Sequence, residues 1–497
     1  MSHNLLGIVD RLVTEGLLRG VVDAASLPPG QQVRAVTTDS REVAPGTLFC
    51  AIRGTTGDGH RFLSAAREAG ALAALVEEID ESVPLRQIEV VDGRLAAAYA
   101  AAAFYGDPWS EITLVGVTGT NGKTTSVAIL RHLLDSNGPA ASIGTLGAVG
   151  PDGAVIPGTE GLTTPGPVDV PRWLRRLGDA GALAVAMEVS SHALDQNRVA
   201  AARFDAALYT NLSRDHLDYH GTLEAYRQAK LRLVELVKPG GAVVVNADDP
   251  AWRDIQSHSA RVVSYGIESA ADVRAEDVRF GGGGMEWTLR TPGGAADVRL
   301  PLYGSYNVAN ALGAAAVLWS LGWGEARIAE GLASLPQVPG RLERVPTPEG
   351  AAAVLIDYAH TPDALARALA ALRPLVEGRL IVLFGAGGDR DRGKRPEMGR
   401  IAAEGADLSI VTSDNPRTED PARILDEIEA GMGGAPRRRV LDRREAIRTA
   451  LDLAEPGDLV LLAGKGHETY QIRGTRKYPF DERVVVREIL AERGEHT

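Results

Sequence analysis

A single cysteine, Cys50, in 497 residues leaves no partner for an intrachain disulfide and no multi-cysteine metal site, so a reducing compartment is expected. Cys50 stands in the apolar run Leu48-Phe49-Cys50-Ala51-Ile52 and reads as a buried core residue. A basic excess is also missing. Fifty-three bases against sixty-five acids give a net charge of −12, which repels nucleic acid and anionic lipid unless a local patch overrides it. Arg437-Arg438-Arg439 is too short for such a patch and reads as a solvated loop. No basic segment precedes a long apolar stretch after Met1-Ser2-His3-Asn4, so no signal peptide is expected and the location is read as cytoplasmic. One uncharged stretch, Leu300 to Gly324, is long enough to span a bilayer. It contains Pro301, Asn307 and Asn310 among several glycines, which favours a buried helix entered through a polar loop over membrane insertion. Internal repeats and low-complexity blocks are absent as well.

What is present is an ordinary α/β composition, 44% hydrophobic and 24% charged. The length exceeds what one core can organise, and about 150 residues per domain suggests roughly three. Residues 1–108 hold short β-like runs (Ala35 to Thr37, Leu48 to Ile52, Ala73 to Val76, Ile88 to Val91) among Ala-rich helical segments. A new unit, 109–338, starts with the buried-strand pattern Ile112 to Val117 and continues through strands at Ala184 to Val189, Ala206 to Tyr209 and Ala242 to Val245. The stretch from 335 to 346 has three prolines and no apolar period, and is expected to be a linker and hinge. Beyond it, in 339–497, runs at Val354 to Ile356, Leu380 to Phe384, Leu408 to Val411 and Leu459 to Leu462 predict a second open parallel sheet.

Between the first strand of the middle unit and a helix at Thr125 to Leu134 lies Gly116-Val117-Thr118-Gly119-Thr120-Asn121-Gly122-Lys123-Thr124-Thr125. Strand, glycine-rich loop and helix are the context of a phosphate-binding loop: free backbone N–H groups and a helix N-terminus face the anion, Lys123 reaches the outer phosphates and Thr124 can hold Mg²⁺. The loop departs from the standard spacing, because Val117 stands where the first glycine belongs. No Asn-Lys pair exists in the chain, so the guanine reader of GTPases is missing and ATP is favoured.

Two further loops fall at strand ends, where open α/β sheets bind ligands. Glu188 ends one strand, and Asp215, His216, Asp218 and His220 follow another. Glu188 and His216 can complete a Mg²⁺ shell with Thr124, since this ion takes few protein ligands and keeps waters. For the other histidines, core or surface hydrogen bonding is the simpler reading. A helix predicted after Thr222, ending near Pro239-Gly240, carries Tyr226, Leu233 and Val237 on its apolar face together with Lys230. An inward lysine is either a snorkelling side chain or one whose ammonium loses its proton on desolvation and can add CO₂ as a carbamate.

The runs Gly119 to Thr125, Met187-Glu188-Val189-Ser190-Ser191-His192, Thr210-Asn211-Leu212-Ser213-Arg214-Asp215-His216-Leu217-Asp218 and Asp357-Tyr358-Ala359-His360-Thr361-Pro362 closely resemble the Mur ligases over nearly the whole chain. The resemblance implies a small UDP-binding α/β domain, a central P-loop ATPase domain and a C-terminal Rossmann-like domain, in a monomer. It implies that ATP phosphorylates the D-glutamyl γ-carboxylate of UDP-N-acetylmuramoyl-L-Ala-D-Glu and that the acyl phosphate is attacked by an amine, in peptidoglycan biosynthesis. By the same resemblance, Gly119, Thr120, Asn121, Gly122, Lys123, Thr124 and Thr125 bind ATP phosphates; Thr124, Glu188 and His216 serve Mg²⁺; Lys230 is carbamylated and holds a second Mg²⁺. Asn307 and Asn310 match adenine-side contacts, with Arg341 and Asp357 closing from the third domain. Ser40, Thr163, Thr164, Ser190, Gln196 and Arg198 match the sugar-dipeptide site. In the uridine loop, Thr55-Thr56-Gly57-Asp58-Gly59 departs from the His-Gln that many relatives carry there.

Asp414-Asn415-Pro416-Arg417 resembles the family version that takes meso-diaminopimelate, whereas lysine-adding relatives lack the arginine. Diaminopimelate exceeds lysine by one carboxylate, and Arg417 offers a planar fork to hold it. Pro416 stiffens the loop and Asn415 is expected to bond the zwitterionic end. Arg390, Gly464 and Glu468 occupy loops after two other strands of the same sheet. The run Gly385 to Arg390 is a weak dinucleotide fingerprint because Arg390 takes the place of its last glycine. Alternatives are a lysine-adding or folylpolyglutamate-type ligase, or a nonenzymatic ATP-dependent switch.

Overall fold

The computed structural model describes residues 4–19, 31–54, 57–159, 161–281, 284–348 and 350–494. Thr55 and Thr56 of the uridine loop, and Met1 to His3, lie outside the described residues. The chain divides into two compact units, Met1–Arg274 with Thr291–Gly294 and Ala311–Gly331, and Ala275–Arg290 with Ala295–Asn310 and Leu332–Thr497.

In the first unit, Ala35–Thr37 (β1), Thr47–Cys50 (β2), Ala73–Val76 (β3) and Gln87–Glu89 (β4) form a parallel sheet in that order. The alanine-rich helix Gly93–Tyr105 packs on it, with Asp92 capping the N–H of Leu95 and Gly106 ending the helix at φ 72°. Cys50 is 1% exposed, as expected of a core residue.

The second sheet of this unit uses Thr113–Thr118 (β5), Ala140–Gly144 (β6), Gly147–Val149 (β7), Ala184–Glu188 (β8), Phe204–Tyr209 (β9), Val237–Asn246 (β10) and Arg261–Gly266 (β11). Their order is β11-β10-β9-β5-β8-β6-β7, parallel except for β7 at the edge. Val273 and Arg274, at the start of Val273–Gly281 (β12), pair with β11, and Gly284–Thr291 (β13) and Gly294–Leu300 (β14) follow. Because β5 lies between β9 and β8, the loops after these three strands leave the same edge of the sheet. The runs that sequence alone marked at Glu188, at 119–125 and at 210–220 are those three loops.

In the second unit, Glu343–Val345 (β15), Ala353–Asp357 (β16), Leu380–Phe384 (β17), Leu408–Val411 (β18), Arg437–Arg439 (β19) and Leu459–Ala463 (β20) form a sheet ordered β15-β16-β20-β17-β18-β19. All its pairs are parallel except β15 with β16. A hairpin of Tyr470–Arg473 (β21) and Arg476–Pro479 (β22) stands apart from it. Four loops, after β16, β17, β18 and β20, therefore share one edge.

Several expectations are corrected. The arginine triplet is the edge strand β19 and not a solvated loop: Arg437 pairs with Glu429 at 3.2 Å and Arg439 with Glu429 at 2.8 Å. The stretch 335–346 is not a free linker, since Leu335, Val338 and Leu342 are buried and its end is β15. The helix bearing Lys230 keeps its Thr222 cap but ends at Leu231, and a 3₁₀ turn, Arg232–Leu236, leads into β10, which contains Pro239 and Gly240. Tyr226, Leu233 and Val237 are nonetheless buried, because the chain turns around the same core. The uncharged stretch contains the buried helix Ser305–Ser320, and no helix among the described residues is long and apolar enough to cross a membrane.

Behind the loops of the second unit sits a buried ion pair. Arg443 (0% exposed) donates to Glu482 at 2.8 Å, to the carbonyl of Ala463 at 2.9 Å and to that of Ser413 at 3.4 Å, joining the ends of β18 and β20. Arg443→Met leaves Glu482 buried without its charge partner, which costs about 3–5 kcal/mol, whereas Arg443→Met with Glu482→Leu should lose much less. Urea unfolding followed by circular dichroism checks this; equal losses in the two variants would show that the pair itself is not what matters.

Candidate active site

The phosphate-type loop is held from outside by the loop after β9. The Thr120 N–H donates to the Asn211 carbonyl at 2.7 Å, the Asn121 N–H to Asn211 Oδ1 at 2.9 Å, and Thr210 Oγ1 to the Asn121 carbonyl at 2.7 Å. Gly119 has φ +145°, and a Cβ there would fall 1.9 Å from Thr210 Oγ1, so no other residue fits. Gly122, at φ 86°, turns the chain into the helix Lys123–Asp135, two residues earlier than the sequence suggested. Thr124 and Thr125 are buried in its first turn. Lys123 Nζ lies back over the loop, donating to the carbonyls of Gly119 at 2.9 Å and Thr120 at 2.8 Å.

Lys230 Nζ donates to the same Gly119 carbonyl at 2.9 Å and lies 4.3 Å from the Tyr226 ring centroid. The snorkelling alternative is excluded, since the side chain is 1% exposed. Burial pushes the Lys230 ammonium well below its usual pKa, Lys123 adds to the effect, and Asp215 opposes it. Tyr226 Oη reaches Thr120 Oγ1 at 3.3 Å, which ties the lysine helix to the loop.

Beside Tyr226, His216, singled out from sequence, is joined by His192 and His220, for which ordinary hydrogen bonding was expected. The rings of His192 and His216 are 4.8 Å apart, those of His192 and His220 5.4 Å, and Tyr219 packs 4.3 Å from His192. Desolvation lowers all three histidines, His192 to about 4, so the imidazoles are neutral near pH 7. His192 directly follows Ser190-Ser191 at the end of β8, which was the available signal.

Glu188 is 1% exposed, and its carboxylate accepts from the Thr145 N–H at 2.9 Å and Thr145 Oγ1 at 3.2 Å. Thr145, also missed, reaches Thr163 Oγ1 at 3.3 Å. Thr164 Oγ1 donates to the Glu188 carbonyl at 2.9 Å and receives the Ser190 N–H at 3.0 Å. Arg198 donates to the Thr164 carbonyl at 3.0 Å and to Gln196 Oε1 at 2.7 Å, and Gln196 reaches Tyr219 Oη at 3.2 Å. Thr163, Thr164, Ser190, Gln196 and Arg198 thus join one network with Glu188. Ser40 lies on a separate 3₁₀ turn, Ser40–Glu42, and no hydrogen bond among the described residues links it to them.

Among the described residues no three acidic, histidine or cysteine side chains are grouped as a ready metal cage. The donors near the loop nevertheless suit a hard divalent cation: a buried carboxylate with only neutral partners (Glu188), a neutral imidazole (His216), a buried hydroxyl residue (Thr124), and an amine whose proton is weakly held (Lys230).

Within the second unit, Asp357 ends β16 and accepts the Leu342 N–H at 2.7 Å. Desolvation raises it to about 6, against the pull of Arg341, whose guanidinium lies 5.0 Å from the Tyr358 ring. Asn307 donates to the Tyr303 carbonyl and Asn310 to Asn307, both buried. Arg417, at φ 51°, donates to the Gly388 carbonyl at 2.8 Å, and its backbone is held by Ile472 and Gly474 of the hairpin. Gly387 lies between the two expected arginines: a Cβ there would be 3.0 Å from Arg417 Nη1 and 3.6 Å from Arg390 Cγ. Gly464, at φ +115°, leaves room for Asp414, whose Oδ2 would lie 2.5 Å from an added Cβ. Asn415 is engaged within the protein: Lys465 and the Ile472 N–H donate to its Oδ1, and its Nδ2 donates to Glu468. Lys465, 0% exposed and 2.9 Å from Glu468, was missed because a Gly-Lys-Gly loop reads as exposed.

Family models match three stretches: Mur ligase family, catalytic domain at 32–105; Mur ligase middle domain at 117–318; and Mur ligase, glutamate ligase domain at 340–466. The UDP-N-acetylmuramoyl-L-alanyl-D-glutamate--2,6-diaminopimelate ligase of Gloeobacter violaceus is 45% identical over 96% of this chain and 98% of its own length. The protein of the same name from Geobacillus kaustophilus is 45% identical, covering 93% and 95%. A solved structure of a ligase so named superposes with TM-score 0.70 at 33% identity, covering 99% of this chain and 100% of that one. The MurF ligase of Thermotoga maritima in complex with ADP, at 22% identity and TM-score 0.64, shares the fold. These matches extend over the whole architecture built above, and the chain belongs to the Mur ligase family.

Proposed function

We propose that this chain is the ATP-dependent ligase that joins meso-diaminopimelate to the D-glutamyl γ-carboxylate of UDP-N-acetylmuramoyl-L-Ala-D-Glu in peptidoglycan synthesis, acting in the cytoplasm as a monomer. The observation that carries the reading is the convergence of Lys123 and Lys230 on the Gly119 carbonyl, at the mouth of a strand–loop–helix anion cradle. The chain's domain limits are taken as 1–108, 109–338 and 339–497.

A carboxylate repels an incoming amine and has no leaving group. Its oxygen attacks the γ-phosphorus of ATP, ADP departs, and the acyl phosphate so formed is attacked at carbon by the amine of diaminopimelate. The tetrahedral adduct loses phosphate as the C–O bond breaks, and the ammonium proton goes to solvent or a nearby base. Gly119 to Thr125 hold the ATP phosphates, with Lys123 swinging from the loop carbonyls to the outer phosphate. Thr163, Thr164, Ser190, Gln196 and Arg198 hold the sugar dipeptide beside Glu188, with Ser40 on the uridine side. Asn307, Asn310, Arg341 and Asp357 serve the adenosine end of ATP. Thr124, Glu188, His216 and the carbamate of Lys230 would hold Mg²⁺, which when bound neutralises the phosphoryl oxygens. Carbamylation fits the buried amine of Lys230: its nitrogen adds to CO₂, a proton leaves, and an anion replaces a cation that the site disfavours. Arg390 and Arg417 take the distal carboxylate of diaminopimelate, and Asp414 with Glu468 its ammonium.

Phosphate release tests the reading: it should require ATP, the UDP-sugar dipeptide and an amino acid together, and release with ATP alone would favour a nonenzymatic switch. Lys230→Ala should be nearly inactive and partly rescued by a short carboxylic acid; full activity without rescue would rule out the carbamate. Gly119→Ala should abolish turnover at any ATP concentration because its Cβ collides with Thr210, which a mant-ATP binding titration can follow. Arg417→Ala should weaken diaminopimelate use by roughly two to three orders of magnitude, the cost of an unpaired charge, while lysine use falls much less. Titrating each amino acid separately decides the point, and equal losses would show that Arg417 does not select.

A further inference from the structure

Behind Arg390 and Arg417 lies a buried arginine that the reaction does not use. Arg395, in the first turn of the helix Lys394–Gly405, is 0% exposed. Its Nη1 donates to Glu419 at 3.0 Å and Glu427 at 2.7 Å, and its Nη2 to Glu419 at 2.8 Å and to the Gly387 carbonyl at 3.2 Å. Glu419 follows Arg417 by two residues, and Gly387 precedes Arg390 by three, so one guanidinium grips both loops from behind.

The same two loops are stitched in front of Arg395. The Gly388 N–H donates to the Asn415 carbonyl at 2.9 Å, and Arg417 Nη1 returns to the Gly388 carbonyl at 2.8 Å. Asp389, in the left-handed region at φ 53°, accepts from the Thr418 N–H at 3.1 Å and from Thr418 Oγ1 at 2.8 Å, and its own N–H donates to Glu419. Gly388 permits the approach, since a Cβ there would sit 1.9 Å from the Pro416 carbonyl oxygen. Each stitched residue is a chain neighbour of one of the two exposed-side arginines.

We infer that Arg395, through Glu419 and Asp389, is a positioning residue for amino-acid selection: it sets the spacing of Arg390 and Arg417 and keeps the Glu419 carboxylate from neutralising them. The inference rests on the assignment of those two arginines to the distal carboxylate of diaminopimelate. Its second half follows from charge. Glu419, held by Arg395 to a pKa of about 2, stays ionised at every working pH. Released, it is a flexible anion two residues from Arg417 and bonded to the residue before Arg390, well placed to occupy the fork that a ligand carboxylate needs. Arg392 and Arg395 together balance Glu419 and Glu427, so the clip leaves the charge of the selecting arginines intact.

Arg395→Met and Arg395→Met with Glu419→Gln separate positioning from mere folding. With ATP and sugar dipeptide saturating, Arg395→Met should raise the diaminopimelate KM by roughly ten- to a hundred-fold with kcat changed little, and leave the weak use of lysine unaltered. Removing the freed charge in the double variant should reverse part of the rise in KM, the remainder being the lost spacing. Uniform loss of kcat for both amino acids, or no recovery in the double variant, would overturn the inference. Should Arg395→Met not fold, Asp389→Gly removes the acceptor that holds Thr418, suits the positive φ and does not touch the buried arginine, and should give a smaller rise in the same KM; an unchanged KM would overturn the inference equally. A wild-type enzyme that binds and turns over lysine as readily as diaminopimelate would instead overturn the functional assignment on which this rests, and is read in the same titration before any variant is compared.

Discussion

Two ammonium groups share one carbonyl oxygen. Lys123 and Lys230 both donate to Gly119, in a place where burial already disfavours charge, and each raises the cost of the other. Burial and Lys123 together weaken the hold of Lys230 on its proton. In the proposed reaction a bound phosphate would draw Lys123 outward, and a carbamate on Lys230 would reverse the sign of the second charge. The surrounding parts serve this point: Gly119 admits the close approach of Thr210, and Tyr226 covers Lys230, with His216 and His220 packed against the Tyr226 ring.

The second unit solves a related problem in another way. It buries Arg395, Arg443 and Lys465, each with a carboxylate of its own: Glu419 and Glu427, Glu482, and Glu468. These pairs lie behind or between the loops after β17, β18 and β20, and Arg443 joins backbone carbonyls from two strand ends, those of Ser413 and Ala463. Buried ion pairs stabilise a fold little overall, because desolvation offsets attraction, but they punish any other arrangement heavily. That property suits loops that, in the proposed reaction, would present Arg390 and Arg417 at a fixed spacing to the amino acid.

Much of this was legible in the chain. Parallel strands covered on both faces read as apolar runs, so Leu380 to Phe384 and Leu408 to Val411 were bounded correctly from sequence, and the loops at their carboxyl ends followed. Glycine and lysine at the 119–125 loop, and Glu188 and His216 at strand ends, stood out for the same reason. Elements written in charged residues or broken by prolines did not. The edge strand Arg437–Arg439 is written in arginines because its neighbours Asp426 and Glu429 are acidic, and that pairing is invisible along the chain. The 335–346 stretch looked like a linker because its prolines break periodicity, while Leu335, Val338 and Leu342 pack regardless of it.

By itself, then, the sequence determined which strands exist, which ends carry chemistry, and the family to which those motifs point, because burial pattern and loop chemistry are local properties. Only the tertiary structure decided which side chains meet. It brought His192, His216 and His220 together from two loops, turned Lys230 onto Gly119 although its helix ends one residue later, and tied Asn415 to Lys465 and Glu468. Those outcomes depend on strand order and on competition among neighbours for the same donors, and neither is encoded in any single stretch of residues.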